Sequence, residues 1–98
     1  MAIIDQRNRS VGLDFSYCDA TEAIIKAIKH DNENVVVTRL PGYIKVKSLN
    51  KLMIYRETVE EYLGNVWQTD KLQLVATSYY GFMGDWDKDK IVIQWDNV

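Results

Sequence analysis

The sequence is short of the residues that metalloproteins and many enzymes use for their chemistry. Its 98 residues include one histidine, His30, and one cysteine, Cys18. Zinc sites, iron–sulfur clusters and di-iron centres draw on several His or Cys ligands, so we predict no metal site. No glycine-rich phosphate or dinucleotide loop occurs, so we predict no cofactor. Only His30 could serve a nucleophile as its usual base, and we therefore predict no catalytic residues and a protein that is not itself an enzyme.

Charge and hydrophobicity exclude two classes of partner. The net charge is −2 with no cluster of Lys and Arg, unlike nucleic-acid-binding proteins, which neutralise phosphates. No apolar run approaches the roughly 20 residues that cross a membrane. Residues 1–10 contain Asp5, Arg7 and Arg9, unlike a signal peptide. A single cysteine fits a reducing compartment. We expect a cytoplasmic protein that binds neither nucleic acid nor membrane.

The pattern of apolar residues predicts one small α+β domain. A chain of 98 residues, 47% hydrophobic, is long enough for one core. We expect a flexible tail over residues 1–10 and the domain over residues 11–98. The predicted order is β-α-β-β-β-α-β-β, with two or three short helices covering one side of a mixed sheet. The strands are predicted at 11–17, 35–38, 43–47, 52–55, 72–80 and 91–95, and the main helices at about 20–30 and 57–63.

Capping and turn residues support these boundaries. Asp19, with Glu22 three residues later, predicts an N-cap and capping box for the first helix. The dipeptide at 41–42, Pro-Gly, predicts a type II turn between two strands. Gly64 stands where a helix commonly ends in a left-handed glycine.

One stretch, residues 72–83, carries the functional prediction. Even-numbered positions up to Tyr80 are apolar apart from Ser78, which predicts a buried strand face. Odd-numbered positions carry more Val, Thr and Tyr than a solvated face needs, and two glycines then bracket Phe82 and Met83. Aromatic, methyl and hydroxyl groups together suit an interface. We predict that the odd-numbered face and the exit loop form a docking surface, with Val75, Thr77, Tyr79, Gly81, Phe82 and Met83. Residues 85–89, with three alternating aspartates, are predicted to form a solvated turn.

Several segments, none specific alone, together carry a family resemblance. In the first half of the chain they are a helix that includes residues 22–28 and ends at 31–32, the turn 41–42 followed by residues 44–46, and residues 52 and 54. In the second half they are residues 56–61 and 63–64, residues 72–73, residues 77–81 and a final strand that ends at Trp95. In their order and spacing the sequence resembles the regulatory (effector, or coupling) proteins of bacterial multicomponent di-iron monooxygenases, most closely the phenol hydroxylase type. The similarity extends from about Val11 to Trp95.

The resemblance implies a cofactor-free regulatory component. Such a protein binds the di-iron hydroxylase oligomer over its active site, changes the geometry of the iron pair and gates entry of oxygen and substrate. It thereby couples hydroxylation of aromatic compounds to consumption of NADH, which is delivered through a separate flavin/iron–sulfur reductase. The segment equivalent to residues 75–81 faces the hydroxylase in this family, so the resemblance adds Ser78 and Tyr80 to the predicted docking surface.

Two other classes of function stay open on the residues alone. A small-molecule-binding regulatory domain would have a concave apolar pocket and ligand-dependent stability. A structural or assembly protein would self-associate through the face that carries Tyr79. The odd-numbered residues could also lie under a helix, but the two main helices are needed on the opposite face of the sheet. We therefore favour docking.

Overall fold

The protein was analysed as a computed structural model that describes residues 10–95. The predicted tail, residues 1–10, lies outside the described residues except for Ser10, which begins the first strand; residues 96–98 also lie outside them. In chain order the elements are β1 (Ser10–Phe15), α1 (Asp19–Asp31), β2 (Val36–Leu40), β3 (Tyr43–Leu49), β4 (Lys51–Tyr55), α2 (Arg56–Leu63), a 3-10 turn (Thr69–Lys71), α3 (Leu72–Val75), β5 (Ala76–Tyr80), β6 (Phe82–Trp86) and β7 (Lys90–Gln94).

The strands form two sheets, ordered β2-β3-β1-β5 and β4-β7-β6. The α+β class and the short helices are therefore confirmed, while the expected single mixed sheet is divided in two and all five strand pairings between described residues are antiparallel. The division begins at Asn50, which takes a left-handed conformation (φ 67°) between β3 and β4. Asn tolerates this conformation better than most residues, so β4 can leave the first sheet.

The core lies between the inner faces of the two sheets and the helices. Alternation in β1 and β3 directs Val11, Leu13 and Phe15 inward together with Ile44 and Val46, all of them buried. The second sheet and the helices complete the same cluster with Leu52, Ile54, Ile91, Ile93, Ile24, Ile25, Ala27, Ile28, Val59, Trp67, Leu72 and Val75.

The two ends of α1 are held by contacts that differ from the predicted ones. The N-cap is Cys18, and Glu22 forms a bidentate ion pair with Arg39 of β2 (2.8 and 3.0 Å). The expected capping box is therefore wrong, because Glu22 points across to a strand. At the other end, the Asn32 amide donates to the carbonyls of Ile28 and Met53, and its oxygen accepts from the Met53 N–H. Asn32 thus ties the helix to the outer strand β4.

The predicted turn glycines are confirmed. Gly42 has φ +89° in the two-residue connection between β2 and β3, after Pro41. Gly64 ends α2 with φ +81°, and its N–H donates to the carbonyl of Glu60. Each glycine takes a conformation that a side chain would strain.

The prediction that residues 72–80 form one strand is wrong. Residues 72–75 form the helical turn α3, so their side chains follow a spacing of about 3.6 rather than 2. Leu74 consequently points to solvent with 79% of its surface exposed, and Val75 is buried with 8% exposed. Residues 82–86, expected to be a loop and the start of an acidic turn, instead form β6. Only residues 87–89 form the turn.

Candidate docking surface

A cleft separates the outer strands of the two sheets. β5 is the last strand of the first sheet and β6 of the second, and Gly81 alone connects them. Gly81 has φ +117°, and a Cβ built on it would lie 2.9 Å from Val11 Cγ1, so any other residue would clash with the core. Between the strands lies a groove of about 530 Å³, hereafter the β5–β6 cleft, lined by Leu13, Leu72, Gln73, Ala76, Thr77, Ser78, Tyr79, Met83 and Trp86.

A β-bulge shapes the β5 wall of the cleft. Ala76 pairs with Phe15 and Ser78 with Asp14, so Thr77 is an extra residue without a counterpart in β1. Beyond the bulge, Tyr79 pairs with Leu13, whose side chain is in the core. Because paired residues point to the same side of a sheet, Ala76 and Tyr79 both face the cleft.

A second bulge shapes the β6 wall in the same way. Met83 pairs with Ile93 and Asp85 with Val92, so Gly84 is the extra residue. Trp86 then pairs with Ile91, on the inner side. A regular strand would place residues 83 and 86 on opposite faces, and the bulge instead brings both side chains to the cleft.

Two half-exposed aromatic side chains stand on the two strands that flank the cleft. Tyr79 has 50% of its surface exposed and Phe82 53%. The Phe82 ring stacks edge-to-face on that of Trp95, with the centroids 5.7 Å apart. The Trp95 indole N–H in turn donates to the carbonyl of Ser10 (2.8 Å). Phe82 is therefore held in place although half of it faces solvent.

The outer face of β5 is polar and centred on Asp14 of β1. The Ser78 and Tyr80 hydroxyls donate to its two carboxylate oxygens (2.9 and 3.2 Å), and the Lys45 ammonium lies 3.4 Å from it. Lys45 Nζ also lies 4.9 Å from the centroid of the Tyr80 ring. Hydrogen bonding to the Tyr80 hydroxyl, with a smaller contribution from the charge of Asp14, raises the pKa of the Lys45 ammonium, and partial burial raises the pKa of Tyr80. The pair therefore stays Lys⁺ and neutral Tyr at neutral pH.

Of the eight predicted surface residues, Thr77, Ser78, Tyr79 and Met83 line the cleft, and Tyr80, Gly81 and Phe82 lie on or between the two strands that flank it. Thr77, Ser78, Tyr79 and Phe82 are exposed; Tyr80, Gly81 and Met83 are half-buried. Val75 differs from the other seven, because the turn α3 rotates its side chain into the core. The predicted faces of β5 are also exchanged, since Ser78 and Tyr80 point to the outer face and Tyr79 to the inner one.

Six further residues at this surface are absent from the predicted set. The cleft is also lined by Leu13, Leu72, Gln73, Ala76 and Trp86, and the exposed Leu74 lies on α3 beside it. Trp86 was expected on a loop. Gly84 was the available signal, because a glycine inside a strand often marks a bulge, and a bulge brings Met83 and Trp86 to one face.

The cleft offers contact groups rather than reacting groups. Its described lining carries aromatic rings, methyl groups and a thioether, with the hydroxyl of Tyr79 and the amide of Gln73, while the hydroxyls of Thr77 and Ser78 donate to Asp14. Such a surface can bury an apolar side chain of a partner and hydrogen-bond at its rim. Within residues 10–95, no helix has the length and hydrophobicity that a membrane crossing requires.

The sequence of this chain matches a known protein family. The model of the MmoB/DmpM family matches residues 9–94. The chain belongs to the MmoB/DmpM family. The predicted resemblance is thereby confirmed: the chain is a regulatory component of the phenol hydroxylase type and not a catalytic subunit.

Individual family members agree with this placement. The chain is 36% identical, over 87 residues, to the stimulatory component DmpM of phenol 2-monooxygenase from Pseudomonas sp. (strain CF600), a match that covers 89% of this chain and 96% of that protein. It superposes with a TM-score of 0.83, at 27% identity, on a chain of a phenol hydroxylase–regulatory protein complex, covering 90% of this chain and all of the other. The regulatory protein B of soluble methane monooxygenase shares the fold, with a TM-score of 0.69 at 17% identity over 99% of this chain and 70% of that one.

Proposed function

We propose that this protein docks on the di-iron hydroxylase of a phenol-type monooxygenase through the β5–β6 cleft and its rim. The observation that carries the proposal is the half-exposed Tyr79 in the lining of an apolar groove, with the half-exposed Phe82 on β6, the strand that forms the other wall. Large exposed aromatic groups around a groove are typical anchors of protein interfaces. The relative in a solved structure whose title names a phenol hydroxylase complex supports a hydroxylase as the partner.

The proposed mechanism is differential binding. A regulatory protein shifts its partner between two states only by the difference in its affinity for them. Docking that favours the reactive state of the di-iron site, and that controls access of substrate and oxygen, couples NADH use to aromatic hydroxylation. A separate NADH-dependent flavin/iron–sulfur reductase supplies the electrons, and this protein needs no cofactor of its own.

In this proposal the predicted surface residues divide into those that contact the hydroxylase and those that support the contact surface. Thr77, Ser78, Tyr79, Phe82 and Met83 form the contact surface. Tyr80 and Gly81 set its shape from half-buried positions, and Val75 supports it from the core. The domain over residues 11–98 is sufficient for docking. The protein acts in the cytoplasm, in keeping with its exposed free Cys18.

The test is steady-state hydroxylation by a purified phenol-type hydroxylase and its reductase, titrated with this protein. Product and consumed NADH are measured together. We expect product per NADH to rise and to saturate near one regulatory protein per active site. No rise with the cognate hydroxylase would refute the proposal.

The apolar cleft also favours one alternative, a small-molecule-binding regulatory domain. Leu72, Met83 and Trp86 could surround an apolar compound. Thermal unfolding with and without phenol separates the two functions. A melting temperature that rises with phenol concentration, in a protein that fails to stimulate the hydroxylase, would support the alternative.

A further inference from the structure

Asp14 accepts hydrogen bonds from three residues of β5. Its carboxylate oxygens accept from Ser78 Oγ (2.9 Å) and from the Tyr80 hydroxyl (3.2 Å), and its main-chain carbonyl accepts from Thr77 Oγ1 (3.2 Å). Thr77 is the bulged residue, where the strand ladder is interrupted. The main-chain carbonyl of Asp14 therefore binds β5 at the bulge, and its carboxylate binds the residues that follow.

The surroundings of Asp14 are built to hold Tyr80. Gly12, which pairs with Tyr80, has no side chain, and a Cβ built there would lie 3.0 Å from the Tyr80 ring and 2.1 Å from the carbonyl oxygen of Val46. The ring therefore lies over the glycine. Lys45, paired with Asp14 from the other side, covers the same ring with its ammonium 4.9 Å from the centroid.

The contacts with Asp14 also determine the direction of the Tyr79 side chain on the opposite side of β5. β5 has no strand partner on its other edge among the described residues, so its register and twist depend on β1. Alternate residues of a strand point to opposite faces, so fixing Ser78 and Tyr80 outward fixes Tyr79 toward the cleft. Loss of the outer contacts would leave Tyr79 free to turn away from the groove.

We infer that Asp14 is a positioning residue for hydroxylase docking: its carboxylate holds Ser78 and Tyr80 on the outer face and thereby presents Tyr79 in its binding orientation. The inference rests on the proposed function, because it adds to that docking a residue that does not contact the partner. A preorganised surface binds more tightly, since less conformational entropy is lost on association.

The central variant is Asp14→Asn, which preserves shape but retains only one acceptor oxygen and no charge. We expect the concentration that gives half-maximal stimulation of the hydroxylase to rise about tenfold, in line with the loss of hydrogen bonds to a charged group. Maximal product per NADH stays at the wild-type value, since the bound state is unchanged. Glu61→Gln, which removes an exposed carboxylate on α2, is the control for net charge and leaves the titration unaltered.

Two milder variants keep the test independent of misfolding. Ser78→Ala and Tyr80→Phe each remove one hydroxyl, and each should raise the half-maximal concentration about threefold. Combined with Asp14→Asn, neither should add its full effect, because each removes one of the two hydrogen bonds that Asp14→Asn already weakens.

Amide hydrogen exchange provides a readout that does not involve the hydroxylase. In Asp14→Asn the amides of β5 should exchange about tenfold faster while those of β7 stay protected. The inference is wrong if either β5 exchange or the half-maximal concentration is unchanged in a folded Asp14→Asn protein, or if both β5 and β7 loosen equally. A wild-type protein that stimulates no cognate hydroxylase, but whose β5 still loosens on substitution of Asp14, would refute the proposed function and leave the positioning of β5 standing.

Discussion

At the scale of single residues, Tyr79 combines exposure with a fixed place. It is half-exposed at the mouth of the β5–β6 cleft. On the other face of the strand, the hydroxyls of its neighbours Ser78 and Tyr80 donate hydrogen bonds to Asp14. Aromatic anchors of this kind dominate the binding energy of many interfaces, whereas a half-exposed side chain contributes little to folding.

The substitution Tyr79→Asp separates these two contributions. We expect hydroxylase binding to weaken by about 2 kcal/mol or more, because a charge replaces an aromatic anchor in a desolvated contact. The free energy of unfolding should change by no more than about 0.5 kcal/mol, as for an exposed position. Calorimetric titration gives the first quantity and urea unfolding the second.

Tyr62→Asp is the matched control for this prediction. Tyr62 is also an exposed tyrosine, with 44% of its surface accessible, but it lies on α2, which packs against α1 and β4. This variant should bind the hydroxylase as the wild type does. Equal loss of binding in both variants would show that the contact surface extends far beyond the cleft.

At the scale of elements, the turn α3 decides which residues reach the surface. Leu74 and Val75 are adjacent in sequence, yet one is almost fully exposed and the other is in the core. A strand over residues 72–80 would also separate them, but with Leu74 buried and Val75 outside. The two arrangements therefore predict opposite effects of truncation.

Truncation to alanine distinguishes the helix from the strand. Val75→Ala should lower the free energy of unfolding by about 1–2 kcal/mol, since buried methyl groups are lost and a small cavity remains. Leu74→Ala should change it by less than about 0.5 kcal/mol. If urea unfolding showed a larger loss of stability for Leu74→Ala than for Val75→Ala, residues 72–75 would form a strand and not a helical turn.

At the scale of the whole molecule, two surface carboxylates that are hydrogen-bonded in their charged form make the stability depend on pH. Hydrogen bonds from the main-chain N–H groups of Asp89 and Lys90 lower the pKa of Asp87 in the turn between β6 and β7. A hydrogen bond and ion pair with Arg39 lower the pKa of Glu22. Both groups bind a proton less readily in the folded chain than in the unfolded one.

Stability should therefore fall on acidification. Above the unfolded pKa of about 4 the contribution of both carboxylates is fully present, and it is lost as the pH falls toward their lower folded values. Thermal unfolding between pH 7 and pH 3 should show this loss. The double variant Glu22→Gln, Asp87→Asn should be less stable at pH 7 and should lose less on acidification. If the double variant lost as much stability between pH 7 and pH 3 as the wild type, the pH dependence could not be assigned to Glu22 and Asp87.

Much of the fold followed from local patterns. Alternation in β1, β3 and β7, the helical spacing of Ala23, Ile24, Ala27 and Ile28, and the turn residues Pro41, Gly42 and Gly64 each act over a few residues. Such patterns report which side chains must be buried and where the chain must turn, so the α+β class and most boundaries could be predicted.

The cleft could be predicted only in part. The sequence indicated an exposed surface around Tyr79 and Phe82, because so many aromatic and methyl groups near two glycines suit an interface. The turn α3 and the bulges at Thr77 and Gly84 were missed, since each changes the spacing of side chains within a stretch that otherwise alternates.

The sequence by itself determined the local elements, the absence of His and Cys clusters from the chain, and the family, because these depend on residue types and short spacings. Only the tertiary structure decided that the strands form two sheets and that Asp14 meets Ser78 and Tyr80 from 64 and 66 residues away. It also decided that Met83 and Trp86 face Ala76 and Tyr79 across a cleft. Strand pairing and register arise from contacts between distant segments, and no local period records them.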